Sequence, residues 1–428
     1  MNSLLWVLYL LGTVQGVMLS VALLSSRDER RIANRYLGLL TLLFSVALAD
    51  YVLDYVGLTA SYPWVRTLQW PKEFFYGPLI YFYVRELSVP NPPQLQGREW
   101  LHFVPAGLHV IISWMLLTLS GERQLGILTD APEAGDEWLW MIFGPIEQTV
   151  TMSVIMLYLF ISLRLLRAHS RRVLETYSYT EKLSLDWLRH LIIGLISIYL
   201  IWVLQVFSPT TFWEDALHAA LGLGFVVLIY SMGYKGLRQP RIFHLDLSVP
   251  LEPLSRSSLS AVMNGVEPVA TTNEVSASGG DGKIDRLGED LDESPAASFA
   301  DNKYANSPLS TELSQALLEE LKTVMASERP YLDNQLTLLK LAAMLNISAH
   351  YLSQVINQQL QMNFFDFING HRIESSLAML QQADETGMTV LDIAMASGFN
   401  SKSAFYSAFK KHQGVTPGEY RKRIASAC

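Results

Sequence analysis

Two groups of polar residues stand where side-chain chemistry matters, and they are of different kinds. Near the C-terminus two segments share one pattern, Leu341-Ala342-Ala343-Met344-Leu345-Asn346-Ile347-Ser348 and Ile393-Ala394-Met395-Ala396-Ser397-Gly398-Phe399-Asn400. Each is followed by an amphipathic run, with Leu352, Val355 and Ile356 apolar in the first and Phe405, Ala408 and Phe409 in the second. Helical spacing then turns His350, Ser353, Gln354 and Asn357 outward, and likewise Lys402, Ser403, Tyr406, Ser407 and Lys410. The second group lies in the front half. Asp50 and Asp54, one helical turn apart, and His109, Glu147 and His218 all fall inside strongly apolar stretches. Charges are costly there and mark a pathway, a pocket or an ion pair. The expectation is a signal-binding pocket open to the outside; interhelical hydrogen bonds are the competing account.

The same inventory excludes several chemistries. Cys428 is the single cysteine, so an intrachain disulfide is impossible and a thiolate metal cage is not expected. No HExxH zinc motif, phosphate-binding glycine loop or nucleophile elbow occurs. The lysine nearest the last apolar stretch, Lys235, stands at its end rather than mid-span, where a retinal Schiff base would need it. No catalytic residue, cofactor or metal is expected, and an enzyme is the least favoured class.

The elements that must position these residues divide the chain. Half of the 428 residues are hydrophobic and 17% are charged, low for a soluble protein, and the apolar excess lies in 1–240. Seven stretches, 3–24, 36–58, 73–88, 101–120, 138–163, 188–207 and 215–234, are apolar enough to be read as spans, although 73–88 is short and carries Gly77-Pro78. The first has no basic n-region and reads as a retained span. Loops on one side of such a bundle hold fifteen Lys/Arg and those on the other side three. The positive-inside rule places the fifteen in the cytoplasm, with the N-terminus outside and the C-terminus inside.

Residues 243–308 lose apolar periodicity and hold eleven Asp/Glu against four Lys/Arg. Such a stretch cannot offset its ordering entropy and is expected to be a disordered acidic tether, with an r.m.s. span of about 45 Å. A rigid push along it is not expected.

From 309 the patterning is helical and soluble. In the two matched segments a small residue, Ala342 or Ala394, lets a second helix cross closely, as a helix-turn-helix requires. Asn346 and Gly398 sit where the first helix must end in a left-handed conformation. Ile347 and Phe399 plug the core, Ser348 and Ser401 can cap the next helix, and Thr389 with Asp392 reads as a capping box. Phe364–Leu380 reads as one long helix that would hold the two recognition helices about one DNA turn apart.

With these residues in place, 313–426 resembles the AraC/XylS family of bacterial regulators. The stretch Gly398–Lys422, GFNSKSAFYSAFKKHQGVTPGEYRK, is similar to the family's C-terminal signature, and NFFDFINGHRIESSLAML, Asn363–Leu380, to its linker helix. The front half, with FFYGPLIYFYVREL before LHFVP, resembles the membrane domain of a branch of these regulators. The resemblance implies a sequence-specific DNA binder. It implies base reading by His350, Ser353, Gln354 and Asn357 in the first unit and by Lys402, Ser403 and Ser407 in the second. Asn and Gln suit adenine, Lys suits guanine and Ser is permissive. Lys410, Lys411, His412, Arg421, Lys422 and Arg423 would meet phosphates. The family often carries Arg at the positions of Gln354 and Ser407, and this chain does not. Charge is uneven as well. Residues 309–385 hold four Lys/Arg against nine Asp/Glu, and 386–428 hold six against two, so the second unit is expected to supply most of the electrostatic affinity.

The expectation is an all-α protein. A seven-helix transmembrane sensor bundle (1–242) is followed by the disordered linker (243–308) and a double helix-turn-helix domain (309–428). It would sit in the bacterial inner membrane, with the bilayer, promoter DNA, an unidentified small-molecule or membrane signal and a second copy of itself as partners. The alternative is a transporter or small-molecule receptor whose helical tail is a protein-interaction module.

Overall fold

The structure, a computed structural model, describes residues 3–27, 31–90, 92–93, 96–128, 134–181, 183–207, 214–238, 310–382 and 387–427. The acidic tether expected over 243–308 lies outside the described residues. The chain divides into two compact units, one comprising 1–173 and 182–247, the other 174–181 and 248–428. Among the described residues there is no strand, and the β feature is an isolated antiparallel bridge between Tyr177 and Thr337.

The first unit contains α1 (Ser3–Leu24), α2 (Arg31–Tyr55), α3 (Glu73–Ser88), α4 (Val104–Leu116), most of α5 (Glu147–Thr176), α6 (Asp186–Phe207) and α7 (Glu214–Arg238). A helix lies at every stretch read as a span, but among the described residues five are long and apolar enough to cross a membrane: Leu4–Leu24, Arg31–Tyr55, Glu137–Thr176, Asp186–Gln205 and Ala216–Lys235. α3 and α4 have 16 and 13 residues, roughly 24 and 20 Å of helix against a hydrocarbon core of about 30 Å. The count of seven therefore falls to five by length. Gly97–Phe103 ahead of α4 is a 3-10 helix, and a π turn, Ile142–Ile146, carries Pro145 at the entry to α5. α1 packs on α2 and α7, α2 on α3, and α6 on α7. The α1–α2 approach requires glycine: a Cβ on Gly16 would stand 2.0 Å from Ser45 Oγ, the small-residue contact by which helices associate in lipid. Leu11, Val14, Met18, Ile111, Trp114, Leu157, Leu204 and Val227 are exposed. An outward face of that composition suits hydrocarbon and not water.

In the second unit α8 (Thr311–Ser327) leads into a helix-turn-helix of α9 (Leu338–Met344) and α10 (Ala349–Gln359). The long α11 (Phe364–Gln381) connects it to a second pair, α12 (Val390–Ala396) and α13 (Lys402–Gln413), and α14 (Pro417–Ala427) closes the fold. Each start has a local cause. Thr337, Ser348, Asn363, Thr389 and Ser401 accept a first-turn amide, and Thr389 with Asp392 forms the reciprocal capping box. Asn346 and Gly398 turn left-handed at φ 51° and 87°. The apolar residues form two cores. Leu321, Leu341, Leu352 and Ile356 gather with Phe364 and Ile368, whereas Ile393, Phe399, Phe405 and Phe409 gather with Ile373 and Leu380. The first half of α11 thus belongs to one core and its second half to the other, so this one helix spaces the two units.

The two left-handed positions are not equivalent. A Cβ on Gly398 would lie 2.4 Å from Tyr331 O and 2.9 Å from Leu332 Cα, whereas Asn346 already carries a side chain and is exposed. Gly398→Ala is expected to destabilise the second unit by about 2 kcal/mol or more, and Asn346→Gly to change it by less than about 1 kcal/mol. Pulse proteolysis in urea checks the pair.

Candidate functional site

The recognition helices α10 and α13 are built alike. Ser348 Oγ accepts from the Tyr351 amide at 3.3 Å and Ser401 Oγ from the Ala404 amide at 3.1 Å. On α10, His350 is exposed and Ser353 and Asn357 are half-buried, with Asn357 Nδ2 donating to Ser353 O at 2.9 Å. Gln354 departs from the sequence expectation. It is 4% exposed and its Nε2 donates to Gln358 Oε1 at 3.1 Å. Helical spacing sets it on the side of α10 away from Leu352 and Ile356, so the pattern of apolar residues does not foretell its burial. On α13, Lys402, Ser403 and Ser407 are exposed as expected. Lys402 Nζ lies 5.4 Å above the Tyr406 ring, and Ser403 Oγ is 3.0 Å from Ser401 Oγ.

The basic residues expected at phosphates are exposed at Lys410, Lys411, His412, Lys422 and Arg423 and half-buried at Arg421. Lys410, Lys411 and His412 lie in the last turn of α13, and Arg421, Lys422 and Arg423 lie in α14. Lys411 is engaged, its Nζ 2.6 Å from Asp366 Oδ1 on the linker helix. Arg421 reaches Met388 O at 3.5 Å.

Sequence reasoning passed over Arg372. It is 1% exposed and fully hydrogen-bonded. Nε donates to Tyr331 O and Nη2 to Asp333 O, both at 2.8 Å, and Nη1 to Asn369 Oδ1 at 3.2 Å. Further bonds reach Ser178 O at 2.8 Å and Ser178 Oγ at 2.9 Å, and the guanidinium lies 5.7 Å from the Phe399 ring centre. Burial pulls its pKa down to about 10 against the opposing fields of Asp333 and Glu181, so it stays charged at neutral pH. The signal was legible: a lone arginine in an apolar helix must find fixed oxygens.

Residues 341–423 match the family described as "Helix-turn-helix domain". The second unit carries a helix-turn-helix domain. Over 90 residues it is 34% identical to the melibiose operon regulatory protein of Escherichia coli strain K12, covering 21% of this chain and 29% of that one. The HTH-type transcriptional regulator MtrA of Neisseria gonorrhoeae is 31% identical over 83 residues, 19% of this chain and 27% of its own. An uncharacterised HTH-type regulator of Bacillus subtilis, YtdP, is 31% identical over 94 residues, 22% of this chain and 12% of its own. The chain thus spans less than a third of the length of these relatives. No solved structure matches.

In the first unit the ionisable residues fall into two clusters. Asp50, Asp54 and His218 line one cavity of about 180 Å³ together with Arg66, Lys72, Glu73 and the rings of Tyr51, Tyr76, Tyr199, Trp202 and Phe225. Arg66 ties the aspartates together, its Nη2 2.9 Å from Asp54 Oδ1 and its Nε 4.0 Å from Asp50 Oδ2. His218 lies against Tyr51 with ring centres 4.5 Å apart and the rings tilted by 43°, and Asp50 Oδ1 is buried without a hydrogen bond. His109 and Glu147 do not line this cavity. They pair with each other, Nε2 to Oε1 at 3.5 Å, an approach too poorly aimed to be a hydrogen bond, while Thr151 donates to the same Glu147 oxygen at 2.9 Å. Arg66 and Lys72 enter the sequence reading only as two of the three loop charges on the sparsely charged side, and Glu73 does not enter it. Arg85, counted there as a loop charge, is buried and bonded to Glu99 at 2.6 Å.

Because Lys410 has open solvent around it and Lys411 is held by Asp366, their removal is expected to differ. Lys410→Ala should lower the slope of log affinity against log salt by roughly 0.9, and Lys411→Ala by less. DNA titrations at several salt concentrations measure both.

Proposed function

We propose that the protein is a membrane-embedded, sequence-specific DNA-binding transcription regulator that couples an external or membrane-borne signal to promoter occupancy. The observation that carries this reading is the pair of capped helices, α10 and α13, each entered through a left-handed residue at the same motif position and spaced by one shared helix. That is the arrangement double-stranded DNA requires for reading successive major grooves. On this reading His350, Ser353, Asn357, Lys402, Ser403 and Ser407 read bases, and Gln354, being buried, does not. The relatives being transcriptional regulators supports the same conclusion.

The five long apolar helices support a multi-pass anchor in a bacterial inner membrane. Treating α3 and α4 as two further, short crossings gives seven. The difference is an even number, so five and seven spans agree in placing the ends of the bundle on opposite sides. The charge bias of the loops puts the N-terminus outside and the DNA-binding domain in the cytoplasm. The cavity at Asp50, Asp54 and His218 is the site at which a signal would act, by binding two states of the bundle with different affinity. Each chain supplies one double unit, and a homodimer would pair two on an operator.

Replacing Lys402 and Ser403 together by Ala is expected to abolish promoter recognition while membrane insertion stays normal. Immunoprecipitation of promoter DNA and fractionation of membranes read the two effects separately. Unchanged occupancy in the double variant would remove the base-reading assignment.

A further inference from the structure

Residues Leu174–Glu181 run from the last residues of α5 toward α6, yet they fold as part of the second unit. Ser178 is 1% exposed and Tyr177 is buried beside it, bridged to Thr337. The Ser178 amide donates to Leu336 O at 3.3 Å and its hydroxyl to the same oxygen at 2.8 Å. Arg372 closes over it from the linker helix through Ser178 O and Oγ, and Asn369 Nδ2 adds a contact to Ser178 O at 3.4 Å. A small hydroxyl residue is what such a seat accepts, since it gives and receives hydrogen bonds in almost no volume.

The strap ends on the second recognition helix. Ser401 Oγ donates to Glu181 Oε1 at 2.9 Å. Ser401 is the N-cap of α13 and precedes Lys402 and Ser403. A carboxylate is favoured beside a helix N-terminus for the reason a phosphate is, because unpaired amides and the helix dipole point there. DNA brings its own anions to this end of a recognition helix. Glu181 and a backbone phosphate would therefore contest one place.

We propose that Leu174–Glu181 is an intramolecular competitor of DNA. Seated through Ser178, it holds Glu181 over the N-terminus of α13, and its release frees that terminus for a phosphate. The inference rests on the DNA-binding reading above. Since the strap is continuous with α5 and α6, a rearrangement of those helices reaches the recognition helix along the strap, without passing through 243–308.

The test uses the full-length chain in lipid nanodiscs, titrated with a pool of random-sequence duplexes a few helical turns long. Wild type is compared with Glu181→Gln, which removes the charge, and Ser178→Pro, which removes the seated amide. Glu181→Gln is expected to bind DNA about two- to fivefold more tightly, and Ser178→Pro at least as tightly as that. In wild type, added DNA should speed hydrogen exchange over residues 177–180. Equal affinities in all three chains overturn the competitor role while leaving DNA binding intact. Weaker binding by Ser178→Pro, with Glu181→Gln unchanged, overturns it too, by making the strap a support of the fold. Failure of all three to bind any duplex at low salt refutes the DNA-binding reading itself.

Discussion

One buried guanidinium holds the second unit in register. Arg372 sits mid-way along α11, where the first core gives way to the second. It binds the carbonyls of Tyr331 and Asp333 just ahead of α9 and faces the Phe399 ring at the turn before α13. A charge taken out of water at this depth is tolerated because every donor meets an oxygen held by backbone or by a neighbouring side chain. Removing one partner would leave the rest of the set charged and unsatisfied. The spacing of the recognition helices therefore depends on an interaction that touches neither of them directly.

Much of this was legible in the chain. The left-handed residues Asn346 and Gly398, the serine caps of α10 and α13 and the Thr389–Asp392 box are local events, fixed by a few neighbouring residues, and local rules recover them. The helices of the front half follow from their apolar lengths. What escaped depends on distance along the chain or on small rotations. Gln354 is buried although helical spacing sets it away from Leu352 and Ile356, and a pattern of three apolar residues does not report that. Glu73, Lys72 and Arg66 meet Asp50 and Asp54 because separate helices converge on them. The seat of Ser178 joins residues more than 150 positions apart, and no periodicity reports a contact of that kind.

The charge pattern of the front half divides by purpose. His109 and Glu147 lie side by side within the helices, where Glu147 accepts from Thr151 and His109 Nε2 has no hydrogen bond. The carboxylates at the cavity are balanced by Arg66 and Lys72 but leave Asp50 Oδ1 without a donor. A polar, aromatic-walled space with an unsatisfied acceptor has something to gain from an occupant. Arg85, one of the fifteen loop charges of the sequence count, is instead a structural pin.

The central claim, that this chain reads promoters from within a membrane, is tested most directly by genome-wide occupancy of the tagged, intact protein recovered in the membrane fraction. The account predicts a small set of sharply enriched promoter sites. A flat profile from membranes that contain the protein, with its C-terminal tag on the cytoplasmic side, would contradict it.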